Sequence, residues 1–242
     1  MQNLTRIDLD CSINVVYDII FISYNEPNAD KNWELLKSRF PSAKRIDGVK
    51  GIHQAHIKAA KKCFTKMFWV VDADAELLDD FSFDYEVNEY NLETVHVWRS
   101  INPVNNLIYG YGGVKLLPRV LTLKMDTSKL DMSTSISSKF KAVPVISNTT
   151  AFNTDSYNSW KSGFRECAKL ASKSIDRQKD SETKKRLDTW CNVGTNVNFG
   201  IDAIRGAKEG RRFGEENKNN YKELAKVNDF EWLEAKFYDS RK

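Results

Sequence analysis

Five apolar residues in succession, Met67-Phe68-Trp69-Val70-Val71, run straight into Asp72-Ala73-Asp74. Side chains alternate across a strand, so an unbroken apolar run of this length reads as a strand buried on both faces. Strands of that kind belong to sheets with helices packed on each side, and their polar ends are where ligands gather. The rest of the first half repeats the pattern. Val15 to Ser23 is a β-branched and aromatic run, and Asn32 to Phe40 is a helix with Trp33, Leu36 and Phe40 on one face, ended by Pro41. Ala43 to Ile46 is a short second strand, and Gly51 to Cys63 is helical, with Ile52, Ala55, His56, Ala59, Ala60 and Cys63 forming a stripe. The expectation is an α/β fold built on a mixed, mostly parallel sheet flanked by helices.

Beyond Asp84 the pattern loosens. Thr94 to Trp98 reads as a strand and Ile108 to Leu117 as a strand pair broken by glycines. Ala142 to Ile146 reads as a strand that Pro144 would confine to an edge. Ser156 to Ile175 predicts a long helix with Trp160, Phe164, Cys167, Leu170, Ala171 and Ile175 inward, ending near Asp176. A polar loop over 177–185 follows, and a short amphipathic helix spans Phe230 to Phe237. At 242 residues, without an internal repeat or a Gly/Ser linker, one domain is expected.

Cys11, Cys63, Cys167 and Cys191 are far apart and form no CxxC pair, which argues for reduced thiols rather than a disulfide scaffold or zinc site. No apolar run approaches the ~20 residues that cross a bilayer. The first ten residues lack a secretory apolar core, so the expected compartment is the cytoplasm. Net charge is +4, divided as −1 over residues 1–160 and +5 over 161–242. A basic last third could meet phosphates, although a solvated helical surface would look the same.

Two carboxylates one residue apart at a strand end can approach a single divalent cation. Their hard oxygens suit Mn²⁺ or Mg²⁺. Residues 72–93 add Glu76, Asp79, Asp80, Asp84, Glu86, Glu89 and Glu93 with no Lys or Arg, a field that favours a cation. The first strand ends in Ser23-Tyr24-Asn25-Glu26-Pro27, whose polar groups and ring could hold a nucleoside, and Asp47-Gly48 at the second strand end could accept a pyrimidine N–H. Either segment could also be an ordinary βα turn. Three successive strand ends carrying such residues favour a nucleotide site.

The combination resembles the GT-A class of nucleotide-sugar glycosyltransferases, notably family 2. Ser23-Tyr24-Asn25-Glu26 looks like its N-terminal turn, Val70-Val71-Asp72-Ala73-Asp74 like its Asp-x-Asp segment, and Tyr111-Gly112-Gly113-Val114 like its Gly-containing acceptor-side strand. Gly51-Ile52-His53-Gln54-Ala55-His56, Trp160-Lys161-Ser162-Gly163-Phe164-Arg165-Glu166 and Gly206-Ala207-Lys208-Glu209-Gly210 resemble small glycosyltransferases of T-even-like phages. The resemblance implies a GT-A-like (Rossmann-like) domain with a nucleotide-binding half over 1–93 and an acceptor-side half over 94–242. It implies a Mn²⁺- or Mg²⁺-dependent enzyme, with Asp72 and Asp74 at the metal. Such an enzyme would move a sugar, arabinose in some relatives, from a uridine diphosphate donor to 5-hydroxymethylcytosine in phage DNA, inside the host cytoplasm. No membrane or protein partner is implied. One departure is that the three histidines, His53, His56 and His96, all lie in the first half, so none stands where many GT-A enzymes carry a third metal ligand.

Displacement of a nucleoside diphosphate by an acceptor hydroxyl, if inverting, needs a carboxylate to take the proton. Glu166 is the first candidate and Asp155 the second. Asp155 is also well placed to cap the long helix, and Glu166 to pair with Lys169 or Arg165. Arg165 shares a four-residue spacing with Lys161, Lys169 and Lys173, a face roughly opposite the core stripe that could track DNA phosphates or simply be solvated. Arg205 to Arg212 could fold over the diphosphate as a mobile loop, with Lys208 and Arg211 as the phosphate contacts. His56 reads as a core histidine that could face the donor pocket, and Trp190 and Trp232 read as core. The rivals are a sugar nucleotidyltransferase, disfavoured because Tyr24-Asn25-Glu26-Pro27-Asn28 lacks a phosphate-loop glycine, and a non-catalytic nucleic-acid-binding protein.

Overall fold

The computed structural model describes residues 17–110, 112–174 and 179–240. Cys11, Val15, Val16, Tyr111, Ile175, Asp176 and Arg177, on which parts of the sequence reading fall, lie outside them. The chain alternates strand and helix as β1 (Asp18–Ser23), α1 (Ala29–Arg39), β2 (Lys44–Asp47), α2 (Ile52–Lys62) and β3 (Met67–Asp72). Next come β4 (Ala75–Leu77), β5 (Val95–Ile101), β6 (Ile108–Tyr109), β7 (Val114–Pro118), α3 (Arg119–Leu123), α4 (Met132–Ile136) and β8 (Phe140–Thr150). The last third is helical, with α5 (Ser156–Ala171), α6 (Asp180–Asn192), α7 (Gly200–Glu216), α8 (Tyr221–Leu224) and α9 (Phe230–Asp239).

The strands form one sheet in the order β2-β1-β3-β7-β5-β8-β4, with β6 added to β5. Pairings among β2, β1 and β3 are parallel, as is β5 with β8, and the pairs β3–β7, β5–β7, β5–β6 and β4–β8 are antiparallel. This is a Rossmann-like α/β fold with a mixed sheet flanked by helices, parallel through its N-terminal half. The apolar run of β3 explains itself here. Met67, Trp69 and Val71 join a core with α1 and the aromatic rings of Phe81, Phe83 and Trp98. Phe68 and Val70 join the opposite core, under α2 and α4. Pro144 falls where the β5–β8 register jumps from Trp98↔Val143 to Arg99↔Ile146, so the ring that cannot donate sits in an irregularity of the ladder.

The helical third is organised around α5, which packs chiefly against α7. Trp160, Phe164, Cys167 and Leu170 are fully buried, as the stripe implied. Two expectations fail in this third. Residues 180–185 are the first turns of α6 rather than a polar loop, because Leu187, Trp190 and Cys191 give that helix an apolar face against Phe152 and α7. Arg205 to Arg212 is not a mobile loop but the middle of α7. There a side chain at Gly206 would put its Cβ 2.0 Å from the Trp160 carbonyl oxygen, and one at Gly210 2.1 Å from that of Phe164. The glycines let two helix backbones touch.

Candidate functional site

From β1 the chain crosses to β2 on one side, then returns to β3 on the other. The carboxyl ends of β1 and β3 therefore flank a topological switch point, the usual ligand crevice of an open α/β sheet. A cavity of about 410 Å³ opens beside it, lined on the sheet side by Asp72, Asp74, Gly112, Gly113 and Lys115 and on the helical side by Arg165, Glu166, Lys169 and Arg186. Lys129, Asp131, Ser133 and Thr134 around the start of α4 close it.

The Asp72-Ala73-Asp74 turn is clamped from three elements. Asp72 N–H donates to Gly113 O (2.9 Å), Asn32 Nδ2 donates to Ala73 O (2.8 Å), and Ala151 N–H donates to Asp74 O (2.7 Å). Ala73 is buried in the core, so the two acids flanking it face the cavity together. Burial, then the neighbouring Asp72 and Glu26 carboxylates, push the Asp74 carboxyl up to about 7. Asp72 accepts two bonds from the Lys115 ammonium, 2.7 Å to each oxygen, and Lys115 also donates to Gly112 O at 2.5 Å. Glu26 is pushed up as well, chiefly by burial, while the N–H of Tyr24 donates to its Oε2 at 2.6 Å.

Facing this corner, α5 presents Lys161, Arg165 and Lys169. Lys161 lies over Tyr157 and Phe230, and burial pulls its ammonium below the usual lysine range. Arg165 donates to Val227 O (2.8 Å) and Asn228 Oδ1 (3.2 Å) and lies over Phe230. Lys169 is also pulled down by burial, and among the described residues its ammonium has no hydrogen-bond partner. Desolvated cations lining a cavity lower their own cost by binding an anion. Arg165 and Lys169 thus line a cavity rather than a solvated surface, whereas Lys173 leaves the helix and pairs with Asp180 in the open.

Of the two candidate bases, Glu166 lines the cavity and Asp155 does not. Asp155 caps α5, accepting from Asn158 N–H (2.7 Å) and from Asn158 Nδ2 (2.6 Å). Glu166 Oε1 is held by Arg186, which lies 3.8 Å over the Tyr109 ring, and Oε2 accepts no hydrogen bond among the described residues.

Ser23, Asp47 and Gly48 come together, but outside the cavity lining. Ser23 Oγ donates to Asp47 Oδ1 (2.5 Å), Arg45 donates to both side chains, and Gly48 N–H donates to Ser23 O (3.1 Å). Tyr24 packs on Phe230, and Asn25 takes a left-handed conformation (φ 61°) that asparagine tolerates. His56 does not face the cavity. Its ring is 2% exposed and its Nδ1–H donates to Ile52 O at 2.8 Å. Lys208 and Arg211 are corrected too. Lys208 points to solvent from α7, and Arg211 is engaged by Glu215 (3.0 Å) and Asp188 (3.1 Å). Trp190 and Trp232 pack in the helical cores, as read.

The charged cavity residues missed from sequence are Lys115, Lys129, Asp131 and Arg186. One signal was available: a lysine inside Val114-Lys115-Leu116-Leu117 requires an anionic partner if that strand is buried.

A divalent ion at Asp72 and Asp74 would need free carboxylate oxygens and further ligands. Both Asp72 oxygens already receive a lysine ammonium, and among the described residues no three His, Cys, Asp or Glu side chains converge as a metal-binding group. As arranged here, the donor set does not fit Mn²⁺ or Mg²⁺, and Asp72 stands in an ion pair with Lys115.

No protein-family description and no curated protein matches the chain. Among solved structures, the crystal structure of HddC from Yersinia pseudotuberculosis is similar over 54% of this chain and 90% of its own. Its 15% identity and TM-score of 0.35 are too slight a likeness to argue from. Among the described residues, no helix is long and apolar enough to cross a membrane.

Proposed function

We propose that the protein is a GT-A-like glycosyltransferase that uses a nucleoside diphosphate sugar, with a uridine donor and a hydroxymethylated cytosine of phage DNA as the first choices of substrate. The observation that carries the reading is the convergence of Asp72 and Asp74, at the switch-point end of β3, with Arg165, Glu166 and Lys169 of α5 around one cavity. A diphosphate suits Arg165 and the desolvated Lys169, and the carboxylates suit sugar hydroxyls. In the reaction the acceptor hydroxyl oxygen attacks the anomeric carbon. The bond from that carbon to the β-phosphate oxygen breaks, its electron pair leaves with the nucleoside diphosphate, and the hydroxyl proton passes to a carboxylate. Glu166 fits that last role, since Arg186 fixes one of its oxygens and leaves the other open. The pyrimidine 5-position lies in the major groove, where an enzyme with a basic last third could reach it directly or after flipping the base.

The test is incubation of hydroxymethylcytosine DNA with UDP-glucose, UDP-galactose and UDP-arabinose, reading the mass of the released nucleoside. A gain of one sugar is expected, and Glu166→Gln should lower the rate at least 100-fold with donor binding kept. Transfer to free sugars or protein instead would remove DNA as acceptor. Cleavage of no UDP-sugar, with DNA still bound, would favour the non-catalytic rival.

A further inference from the structure

Lys115 stands in the middle of β7, paired with Val70 of β3 on one side and Val97 of β5 on the other. Its strand neighbours Val114, Leu116 and Leu117 are fully buried, and its own side chain is 4% exposed. An ammonium in that setting is costly unless its donors are satisfied. Three acceptors meet its three N–H groups: both Asp72 oxygens and the Gly112 carbonyl. The Gly112 carbonyl is positioned by a backbone at φ +89°, and the next residue, Gly113, accepts from Asp72 N–H, so strand and acid are locked to each other. The ion pair lines the cavity rather than the core. A buried lysine is therefore the cation paired with Asp72 at the cavity wall.

We propose that the Lys115 ammonium is the resident cation of this site, neutralising Asp72 so that a diphosphate can approach without a divalent metal. The proposal rests on the nucleotide-sugar reading and adds to it a positioning residue and an independence of metal. It makes Asp72 a holder of Lys115 and leaves the cationic face of α5 as the other half of the diphosphate seat. Removing the ammonium should leave a bare carboxylate beside Asp74 and Glu26, which repels phosphate and attracts a divalent ion.

The experiment uses the full chain with Mn²⁺ and UDP as separate probes. Mn²⁺ binding is read by the loss of its free-ion electron paramagnetic resonance signal, and UDP binding by calorimetry with EDTA or with Mn²⁺. Wild type should take up no Mn²⁺ at 100 µM and bind UDP with the same Kd in both buffers. Lys115→Met should lose at least 10-fold in UDP affinity in EDTA, gain a Mn²⁺ site, and recover UDP affinity when Mn²⁺ is added. Lys115→Arg, which keeps the charge, should stay closer to wild type and remain without Mn²⁺. Stoichiometric Mn²⁺ uptake by wild type that Asp72→Asn abolishes, or UDP binding that needs Mn²⁺, overturns the Lys115 assignment and leaves the glycosyltransferase reading standing. Failure of UDP to bind wild type in either buffer overturns that reading itself, and with it the role of Lys115. The wild-type arms decide the matter even if Lys115→Met fails to fold.

Discussion

His56 is 2% exposed, its Nδ1–H is given to the Ile52 carbonyl, and its Nε2 is buried with no partner. A second proton on that ring would create a charge with no acceptor, and the nearby Lys115 ammonium adds repulsion. Burial first, and Lys115 second, push its pKa down to about 3. In the unfolded chain the same ring titrates near ~6.5. Between those values the unfolded state binds a proton that the native state refuses, so stability from this group is full above ~6.5 and declines as pH falls toward 3. Urea midpoints of wild type should therefore fall more steeply between pH 6.5 and 4 than those of His56→Gln, which keeps a donor for Ile52 but cannot titrate. Parallel slopes for the two proteins would refute the assignment. The helical spacing of Ile52, Ala55, His56 and Ala59 already implied burial of this ring. It could not reveal Lys115 as a neighbour, because that lysine arrives from β7, about sixty residues later in the chain.

The α5–α7 contact shows how one element can be misread from a sound local pattern. Gly206, Gly210 and Gly214 recur every fourth residue, so in a helix they share one face. Among the cations of Arg205, Lys208 and Arg211, however, small residues look equally like a phosphate loop. Packing decides between them, since each of these glycines sits against a backbone carbonyl of α5. Two effects oppose each other in Gly206→Ala. Helix propensity favours alanine by ~1 kcal/mol, whereas a Cβ 2.0 Å from the Trp160 carbonyl oxygen forces two backbones apart. Overpacking of that kind costs about 1–3 kcal/mol and should win, with net destabilisation visible in urea unfolding. Lys208→Ala, on the exposed side of the same helix, should change stability by less than ~0.5 kcal/mol. Sheet elements were easier to read, because β1 and β3 carry continuous apolar runs. The polar start of α6, the three-residue β4 and the register jump in β8 depend on tertiary partners that no local pattern contains.

At the scale of the molecule, the cavity is a seam between the sheet and the helical third, and α9 underpins one side of it. Leu233 and Phe237 are fully buried against Trp160 and Phe164, which belong to the same helix as Glu166. Phe230, at the start of α9, lies beneath both Lys161 and Arg165, and Arg165 also donates to Val227 and Asn228 just ahead of it. The C-terminal helix thus holds the cations of the proposed diphosphate seat as well as closing a core. The sequence marked Phe230 to Phe237 as a short amphipathic helix, but gave no hint that its partner was the site. Deleting residues 229–242 should cost about 3–6 kcal/mol from the loss of two fully buried side chains, and should weaken UDP binding beyond that, because Lys161 and Arg165 lose the surface that orients them. Leu233→Ala separates the two effects. It should lower the urea midpoint, by about 2–5 kcal/mol in stability, yet leave UDP affinity within a few-fold of wild type, since Phe230, Val227 and Asn228 remain. Calorimetric titration of the folded fraction of each variant reads the difference. Equal affinity in the deletion and in wild type would show that α5 holds its cations without help.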